Sequence, residues 1–379
     1  MWRQAMGSAE EFEPEIEPGR PRQAARFIQV GVITPGVFAC LLMLAAAISG
    51  VQTKRDKLES ESTRLDADRS IKACDGLILG TSFSADGRTV AIAGSDGSLK
   101  LWDVFSGRVR IVPQEISTRN LAFSPDGRLL ATTHTNHDVN LYDPASGSLL
   151  YSLESPRLVR HLAFDPRGDS LATGDSEGDI TLWDLNTQRP RRVLADENSV
   201  PGSSSLDTRL VSMTYAPDGK TLIVGRGDGS VRVCDVEAGT TRGVWQVHST
   251  PIDALAVSPD GALLATATCL EDEVKLWDLS TGDLQKTIRV EDRGVKKLDF
   301  ASEGTTLTTA GASNNFRIWD VATGTMLKRL HSSDGWVWAL SYSPDGDWLI
   351  SGGADGVVGL WQMRRASGGV RIASREVQG

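Results

Sequence analysis

Seven times between Gly80 and Gln362 the chain repeats one pattern: a strand, a tight turn closing on glycine, a second strand, and a third strand ending on Leu-Trp-Asp or a variant of it. The turn glycines are Gly87, Gly127, Gly168, Gly219, Gly261, Gly304 and Gly346, and the third strands end on Trp102, Tyr142, Trp183, Cys234, Trp277, Trp319 and Trp361. Spacings in the second series are 40, 41, 51, 43, 42 and 42 residues. A unit this short cannot bury both faces of its own sheet, so the units must stack on one another. A period of roughly 40–45 residues with four short strands per unit predicts a β-propeller. The expected fold class is all-β, with seven four-stranded antiparallel blades.

The stretch Leu121 to Leu150 shows the grammar. Leu121-Ala122-Phe123 is an apolar first strand, and Ser124-Pro125-Asp126-Gly127 turns the chain. Proline presets φ for the second position of a type I turn, aspartate suits the third, and glycine takes the fourth. Leu129-Leu130-Ala131-Thr132 and Val139-Asn140-Leu141-Tyr142-Asp143 follow as strands, and Pro144-Ala145-Ser146-Gly147 turns into an outer strand at Leu149-Leu150-Tyr151-Ser152-Leu153. Ser258-Pro259-Asp260-Gly261 with Leu276-Trp277-Asp278, and Ser343-Pro344-Asp345-Gly346 with Leu360-Trp361, repeat it. On these motifs residues 73–375 resemble the WD40-repeat family. The resemblance implies a seven-bladed disc that serves as a platform for protein partners, with partner peptides docking on the top rim. One family feature is missing: no repeat carries the Gly-His pair before its first strand, although His248 and His331 sit near that position. The hydrogen-bond set that such a histidine makes with a turn aspartate and the strand tryptophan is therefore expected to be absent from most blades. The ring could close through Ser70–Cys74 or through Val370–Ser374, and the sequence leans to the second.

Before the propeller, Phe27 to Val51 runs 25 residues without a charge. As a helix it spans roughly 37 Å, enough to cross a bilayer core. Pro35-Gly36 inside the run is a kink that a spanning helix tolerates. The run is too long for a signal-peptide core, and five glutamates in the leader are unlike a basic signal start. It reads as an uncleaved anchor, making the chain a single-pass membrane protein. Lys54, Arg55, Lys57, Arg64 and Arg69 outnumber Arg20, Arg22 and Arg26 across the run, which favours a cytoplasmic propeller. Three arginines on a short leader also suit the opposite placement. Residues 1–26 read as a disordered polar tail, residues 52–72 as a charged, solvated stalk, and residues 376–379 as a terminal tail.

The chain has 40 basic and 49 acidic residues, a net charge of −9. Residues 1–72 hold ten of each sign, so the whole acidic excess lies in the propeller and tail. Nonspecific nucleic-acid binding needs clustered Lys and Arg, so no nucleic-acid partner is expected. The four cysteines, Cys40, Cys74, Cys234 and Cys269, form no metal or disulfide pattern, and Cys234 in a tryptophan position reads as a small buried hydrophobe. No catalytic constellation, cofactor loop or metal site is found. His134-Thr135-Asn136-His137 has metal-like spacing but falls on a turn, Arg167-Gly168-Asp169 is a first turn, and Glu271-Asp272-Glu273 reads as a solvated acidic knob.

Aligning the blades on the first-strand aromatic gives one informative ring. Four residues before it stand Leu79, Arg119, Arg160, Val211, Asp253, Lys296 and Trp338. Three bases and a tryptophan on an acidic propeller, with Trp336 and His331 in the loop beside them, mark a candidate rim site. Arg and Trp are the residue types that anchor interfaces, and an Arg cluster suits acidic or phosphorylated peptides. The sequence therefore predicts a membrane-anchored, non-enzymatic scaffold binding peptides on this rim. Alternatives are an extracytoplasmic ligand sensor and, less favoured, a propeller enzyme. A loop insertion within Ala195 to Arg209 lies on the same rim and is either filler or a recognition element.

Overall fold

The computed structural model describes residues 67–114, 117–194, 210–290, 294–332, 335–366 and 369–372. The tail at 1–26, the apolar run at 27–51, the stalk to residue 66 and the insertion at 195–209 lie outside the described residues. Among the described residues no helix is long and apolar enough to cross a membrane.

Seven antiparallel sheets follow one another along the chain, six of them adding their strands in sequence order from the inside outward, while the seventh takes its outermost strand from the start of the described chain. The innermost strands are Ile78–Phe83, Thr118–Phe123, Val159–Phe164, Leu210–Tyr215, Ala254–Val257, Val295–Phe300 and Val337–Tyr342. Each touches the inner strand of both neighbours, and the seventh touches the first, so the ring is closed. The second strands read as continuous apolar or small runs because both faces are covered by adjacent blades: Leu130–His134 and Thr306–Gly311 are buried at every residue. Between blades seven and one the core is Cys74, Ile78, Phe83, Ile92 and Trp102 against Ile350, Val358 and Leu360.

The first turns hold by local chemistry. Ser84 Oγ donates to Asp86 Oδ1 at 2.6 Å and accepts the Thr89 N–H at 2.9 Å, while Asp86 Oδ1 accepts the Arg88 N–H at 3.0 Å. Gly87 ends the turn at φ +67°, a conformation that costs glycine nothing. The same bonds recur at Ser124/Asp126, Ser258/Asp260 and Ser343/Asp345. In blade three Asp165 takes the serine position and binds Arg167 at 2.8 Å, so Arg167-Gly168-Asp169 is a braced turn.

Closure differs from the expected route. Arg69–Lys72 pairs antiparallel with Leu360–Val357 and is the outermost strand of blade seven. Residues 69–72, grouped with the stalk on charge, are thus part of the propeller. Gly369–Ile372 pairs instead with Met363–Ala366, at the far end of the same long strand. The reason is length. The third strand of blade seven, Val357–Ala366, has ten residues where its counterparts have five or six, so the C-terminal hairpin folds back beyond the sheet. The N-terminal strand also has more anchors. Asp68 Oδ2 accepts the Gln362 N–H at 2.7 Å, Lys72 Nζ donates to the Asp355 carbonyl at 2.6 Å, and the Ala73 N–H donates to the Gly356 carbonyl at 2.8 Å.

A clasp links blades in pairs. Arg110, Arg192, Lys286 and Arg69 stand at one register position, opposite Leu101, Leu182, Leu276 and Leu360. Each reaches carbonyls in the third turn of the next blade: Arg110 to Pro144 and Ala145, Arg192 to Ala238, Lys286 to Ala322, and Arg69 to Val104 and Phe105. Arg69 makes this bond across the closure itself.

The strand tryptophans show what the missing histidines remove. Trp183, Trp319 and Trp361 donate their indole N–H to Thr173, Thr309 and Ser351 at 2.8, 3.0 and 2.9 Å. In blade one the matching residue is Ile92, and the buried Trp102 Nε1 has no partner among the described residues. Blade five extends the chain through a histidine: Trp277 Nε1 to Thr266 Oγ1 (3.0 Å), Thr266 to His248 Nε2 (2.8 Å), and His248 Nδ1 to Glu271 (2.6 Å). Glu271, expected in a solvated knob, is instead the acid of this buried set. Cys234 fills its tryptophan position fully buried in an apolar cluster, as expected.

Candidate functional site

The inner strands begin on one face of the propeller, which also carries the second turns and the blade-to-blade loops. The predicted ring of seven coincides with a backbone irregularity. In six blades the register of the inner strand slips across one residue, and that residue is Leu79, Arg119, Arg160, Val211, Lys296 or Trp338. In the fifth blade Asp253 does the same work. Its N–H bonds to Ala267, which already pairs with Ala254. A bulge sets two residues against one, bends the strand and re-aims the extra side chain. The seven positions are therefore an equivalent set, each displaced from the ladder at the channel mouth.

The structure sorts these residues into three groups. Arg119 is exposed and Arg160 half-buried. Lys296 and Asp253 come together: Nζ lies 2.5 Å from Oδ1, and Asp253 Oδ2 accepts the Cys269 N–H at 2.6 Å. Burial and the Asp253 charge push the Cys269 thiol up to about 12. One of the three predicted bases is thus neutralised by the one predicted acid. Trp336 and Trp338 form the third group, stacked with ring centroids 5.4 Å apart and planes 24° from parallel. Trp338 Nε1 is buried with no hydrogen-bond partner among the described residues. His331 is not brought to this site. It ends the outer strand of blade six, with Nδ1 3.3 Å from Asn315 Oδ1.

Three channel residues escaped the sequence reading. His161 and Lys297 follow the bulges of blades three and six, and Asp299 lies two residues further along. Asp299 Oδ2 accepts the Tyr342 N–H of the next blade at 2.8 Å, as Ser82 Oγ accepts the Phe123 N–H at 3.2 Å. Burial pushes the Asp299 carboxyl up to about 7. The signal for all three was present in the blade alignment, one and three places past the rim position, where the other blades carry small or neutral residues.

Elsewhere, His134 Nε2 lies 2.7 Å from Thr132 Oγ1 and His137 sits in a left-handed turn at φ 80°. Among the described residues no group of three or more His, Cys, Asp or Glu is arranged to hold a metal. A cleft of about 550 Å³ opens on the opposite face between blades four and five, lined by Asp218, Arg242, Trp245, Asp260 and Ser280. Its arginine is already paired, at 2.6 Å, with Asp235.

Comparison with known proteins agrees with this architecture. Residues 67–103, 147–184, 239–278, 282–320 and 324–362, just over half of the chain, match the family described as WD domain, G-beta repeat. Residues 199–252 match the anaphase-promoting complex subunit 4 WD40 domain. The WD repeat-containing protein SL1-17 of Schistosoma mansoni is 29% identical over 210 residues, 55% of this chain and 52% of that protein. The transcriptional corepressor LEUNIG_HOMOLOG of Arabidopsis thaliana is 24% identical over 208 residues, 53% of this chain and 24% of that protein. The chain thus spans about half, or less, of these relatives' length. A chain in the crystal structure of a mitotic checkpoint complex superposes with a TM-score of 0.71 at 20% identity, covering 80% of this chain and 94% of that one; at that identity the likeness speaks for the fold alone. Family match, repeat spacing and closed ring of seven sheets agree: the chain belongs to the WD40-repeat family.

Proposed function

We propose that this protein is a membrane-tethered, non-enzymatic scaffold whose propeller captures an acidic or phosphorylated segment of a partner protein on the bulged rim. The observation that carries the reading is the coincidence of bulge and side chain. Arg119, Arg160 and the Trp336–Trp338 stack all stand at or beside the channel mouth, with Arg119, Arg160 and Trp338 on re-aimed backbone. A flat aromatic pair on blade seven and guanidinium groups on blades two and three offer packing area and charge on one rim, the residue types that concentrate binding energy in few positions. The rim carboxylate of Asp253 is tied to Lys296, so the charge that Arg119 and Arg160 bring to the rim is not offset by it. One relative is described as a corepressor and one structural neighbour as part of a checkpoint complex. Both descriptions accord with a chain that works by binding other proteins.

Replacing Arg119 and Arg160 with serine is expected to lower partner capture by roughly tenfold or more, at about 1.4 kcal/mol per tenfold. The thermal midpoint should fall by no more than about 4 °C, since Arg119 is exposed and only Arg160 is half-buried. Quantitative co-purification from membranes, alongside thermal melts, checks both; unchanged capture would discard the rim. The apolar run at 27–51 supports the tether and the flanking charges support a cytoplasmic propeller. Protease added to sealed vesicles of known orientation tests the latter.

A further inference from the structure

The cleft on the face opposite the rim opens where the blade-to-blade clasp is missing. The clasp register falls on Arg110, Arg192, Lys286 and Arg69 in four blades. In the other three it falls on Tyr151 opposite Leu141, Lys328 opposite Ile318 and Gly243 opposite Val233. Tyr151 packs against the cluster that holds Leu185, in the third turn of the next blade, and Lys328 is half-buried. Only blade four has no side chain at this place. The cleft of about 550 Å³ lies there, between Gly243 and the third turn of blade five at Leu279, Ser280 and Thr281. The matching turns of blades one, two, four and six give backbone carbonyls to the clasp cations. In blade five no donor among the described residues reaches the carbonyls of Leu279, Ser280 or Thr281.

The next residue on the same face of that strand departs from the pattern as well. Five other blades carry a buried aliphatic there, Val112, Leu153, Leu194, Ile288 and Leu330, whereas blade four has the half-buried Trp245. An indole overfills a slot sized for leucine. Its ring lies against the third turn of blade five, where a Cβ on Gly282 would sit 2.7 Å from Cε2. Two carboxylates, Asp218 and Asp260, also line the cleft, and neither is in an ion pair among the described residues. Asp260 Oδ1 accepts Ser258 Oγ at 2.5 Å and the Ala262 N–H at 3.0 Å, which leaves Oδ2 without a bond among the described residues. Arg242, the one cation of the lining, is bound to Asp235 at 2.6 Å. The cleft is therefore anionic, with open carbonyls and an aromatic ring. A guanidinium answers all three, because it has five N–H donors in a fixed fork and stacks on aromatic rings, while an ammonium has three donors and no plane. The protein itself closes three of its four clasps with arginine. We propose that the cleft between blades four and five binds an arginine side chain of a partner protein, which takes the place left by Gly243. The site is a second interaction surface, on the face away from the rim, and it neither rests on the rim reading nor falls with it.

The test uses the full-length protein and two dye-labelled Gly-Ser peptides, one with a central arginine and one with citrulline, its uncharged isostere. Binding is followed by fluorescence anisotropy at about 0.15 M salt, which screens the general charge of the propeller. The arginine peptide is expected to bind at least about tenfold more tightly than the citrulline peptide. Gly243→Arg supplies the missing clasp from within the chain and should abolish that preference. Gly243 is not in the left-handed region, and a Cβ there would meet only the Trp245 indole, with Nε1 at 3.2 Å, so the variant is expected to fold. Asp260→Asn keeps the turn's acceptor oxygen and should cut the preference at least about threefold. Asp126→Asn, the same change in the first turn of blade two, should leave it within about twofold. Thermal melts confirm that each variant is folded, and if Gly243→Arg does not fold, the two aspartate variants decide. Equal binding of the two peptides, or no binding of either, overturns the site. A preference that survives Gly243→Arg, or that falls equally in Asp260→Asn and Asp126→Asn, puts the arginine elsewhere on the acidic surface and overturns the cleft as its place.

Discussion

A propeller that begins at Asp75 is expected to unfold about 10 °C or more below one that begins at Arg64, with a broader transition. The segment between them supplies the outermost strand of blade seven, four residue pairs from Arg69–Leu360 to Lys72–Val357. It also supplies the Ala73 and Cys74 side chains buried between blades seven and one, and the Arg69 bonds to Val104 and Phe105. Ladder bonds at about 1 kcal/mol each, plus the lost apolar burial, come to roughly 4–6 kcal/mol, and each kcal/mol moves the midpoint of a domain this large by about 2 °C. The loss is larger in kind than the sum implies, because blades in a ring are stabilised by both neighbours and the cut falls at the one junction where the chain's ends meet. It also uncovers Val357–Leu360 as a free edge, a template for association between copies. Removing residues 367–379 is the matched control. Of these, Gly369–Ile372 pairs only with the far end of the blade-seven strand, and loss of the segment should shift the midpoint by less than about 2 °C. Melts of the three chains followed by circular dichroism decide the matter. Equal drops for the two truncations would return closure to the C-terminal segment.

That closure was misread for a physical reason. Val370-Arg371-Ile372 and Ser70-Ile71-Lys72 are equally strand-like, and nothing in either says that the third strand of blade seven runs ten residues. The repeat itself was fully legible, since turn chemistry of the Ser84–Asp86–Gly87 kind is local and recurs in phase. The rim positions were legible for the same reason, although their bulges were not. A bulge is a relation between two strands, and the alignment counted only one. Pairing was the other hidden quantity. Arg119, Asp253 and Lys296 look alike as letters in a column, but Lys296 is tied to Asp253 across blades 43 residues apart, while Arg119 stays open. Glu271 was misassigned because its meaning depends on His248, 23 residues earlier. The same letters Glu-Asp-Glu on a turn without that histidine would be a solvated knob.

The blade-five set makes a second large effect expected: His248→Ala should cost about 2–4 kcal/mol at pH 7. The indole N–H of Trp277 only donates, so Thr266 Oγ1 accepts it and gives its own proton to His248 Nε2. Nδ1 is left protonated and donates to Glu271 Oε2. The bonds run in one direction through a neutral imidazole whose side chain is fully enclosed. Truncation strands the Thr266 hydroxyl, removes a donor from a part-buried carboxylate and leaves a cavity. No other described blade has a histidine bridging its tryptophan-bound hydroxyl to an acid, so nothing nearby substitutes for it. The acid dependence fixes the mechanism. Burial works to raise the Glu271 carboxyl, but the hydrogen bonds from His248 and from the Ser249 N–H outweigh it and hold the group at about 2. Burial lowers the His248 imidazole against the pull of Glu271. A depressed carboxyl stabilises the fold above its ordinary value near 4.5 and loses that contribution as pH falls toward 2. A depressed histidine acts in the same sense, because below about 6.5 the unfolded chain takes up a proton that the fold refuses. The gap between parent and His248→Ala melting points should therefore be widest at pH 7 and narrow steadily through pH 5 to pH 3, where the cost of the cavity remains. A gap that stays constant over that range would mean that His248 acts by filling space alone, and Glu271 would return to the solvated turn.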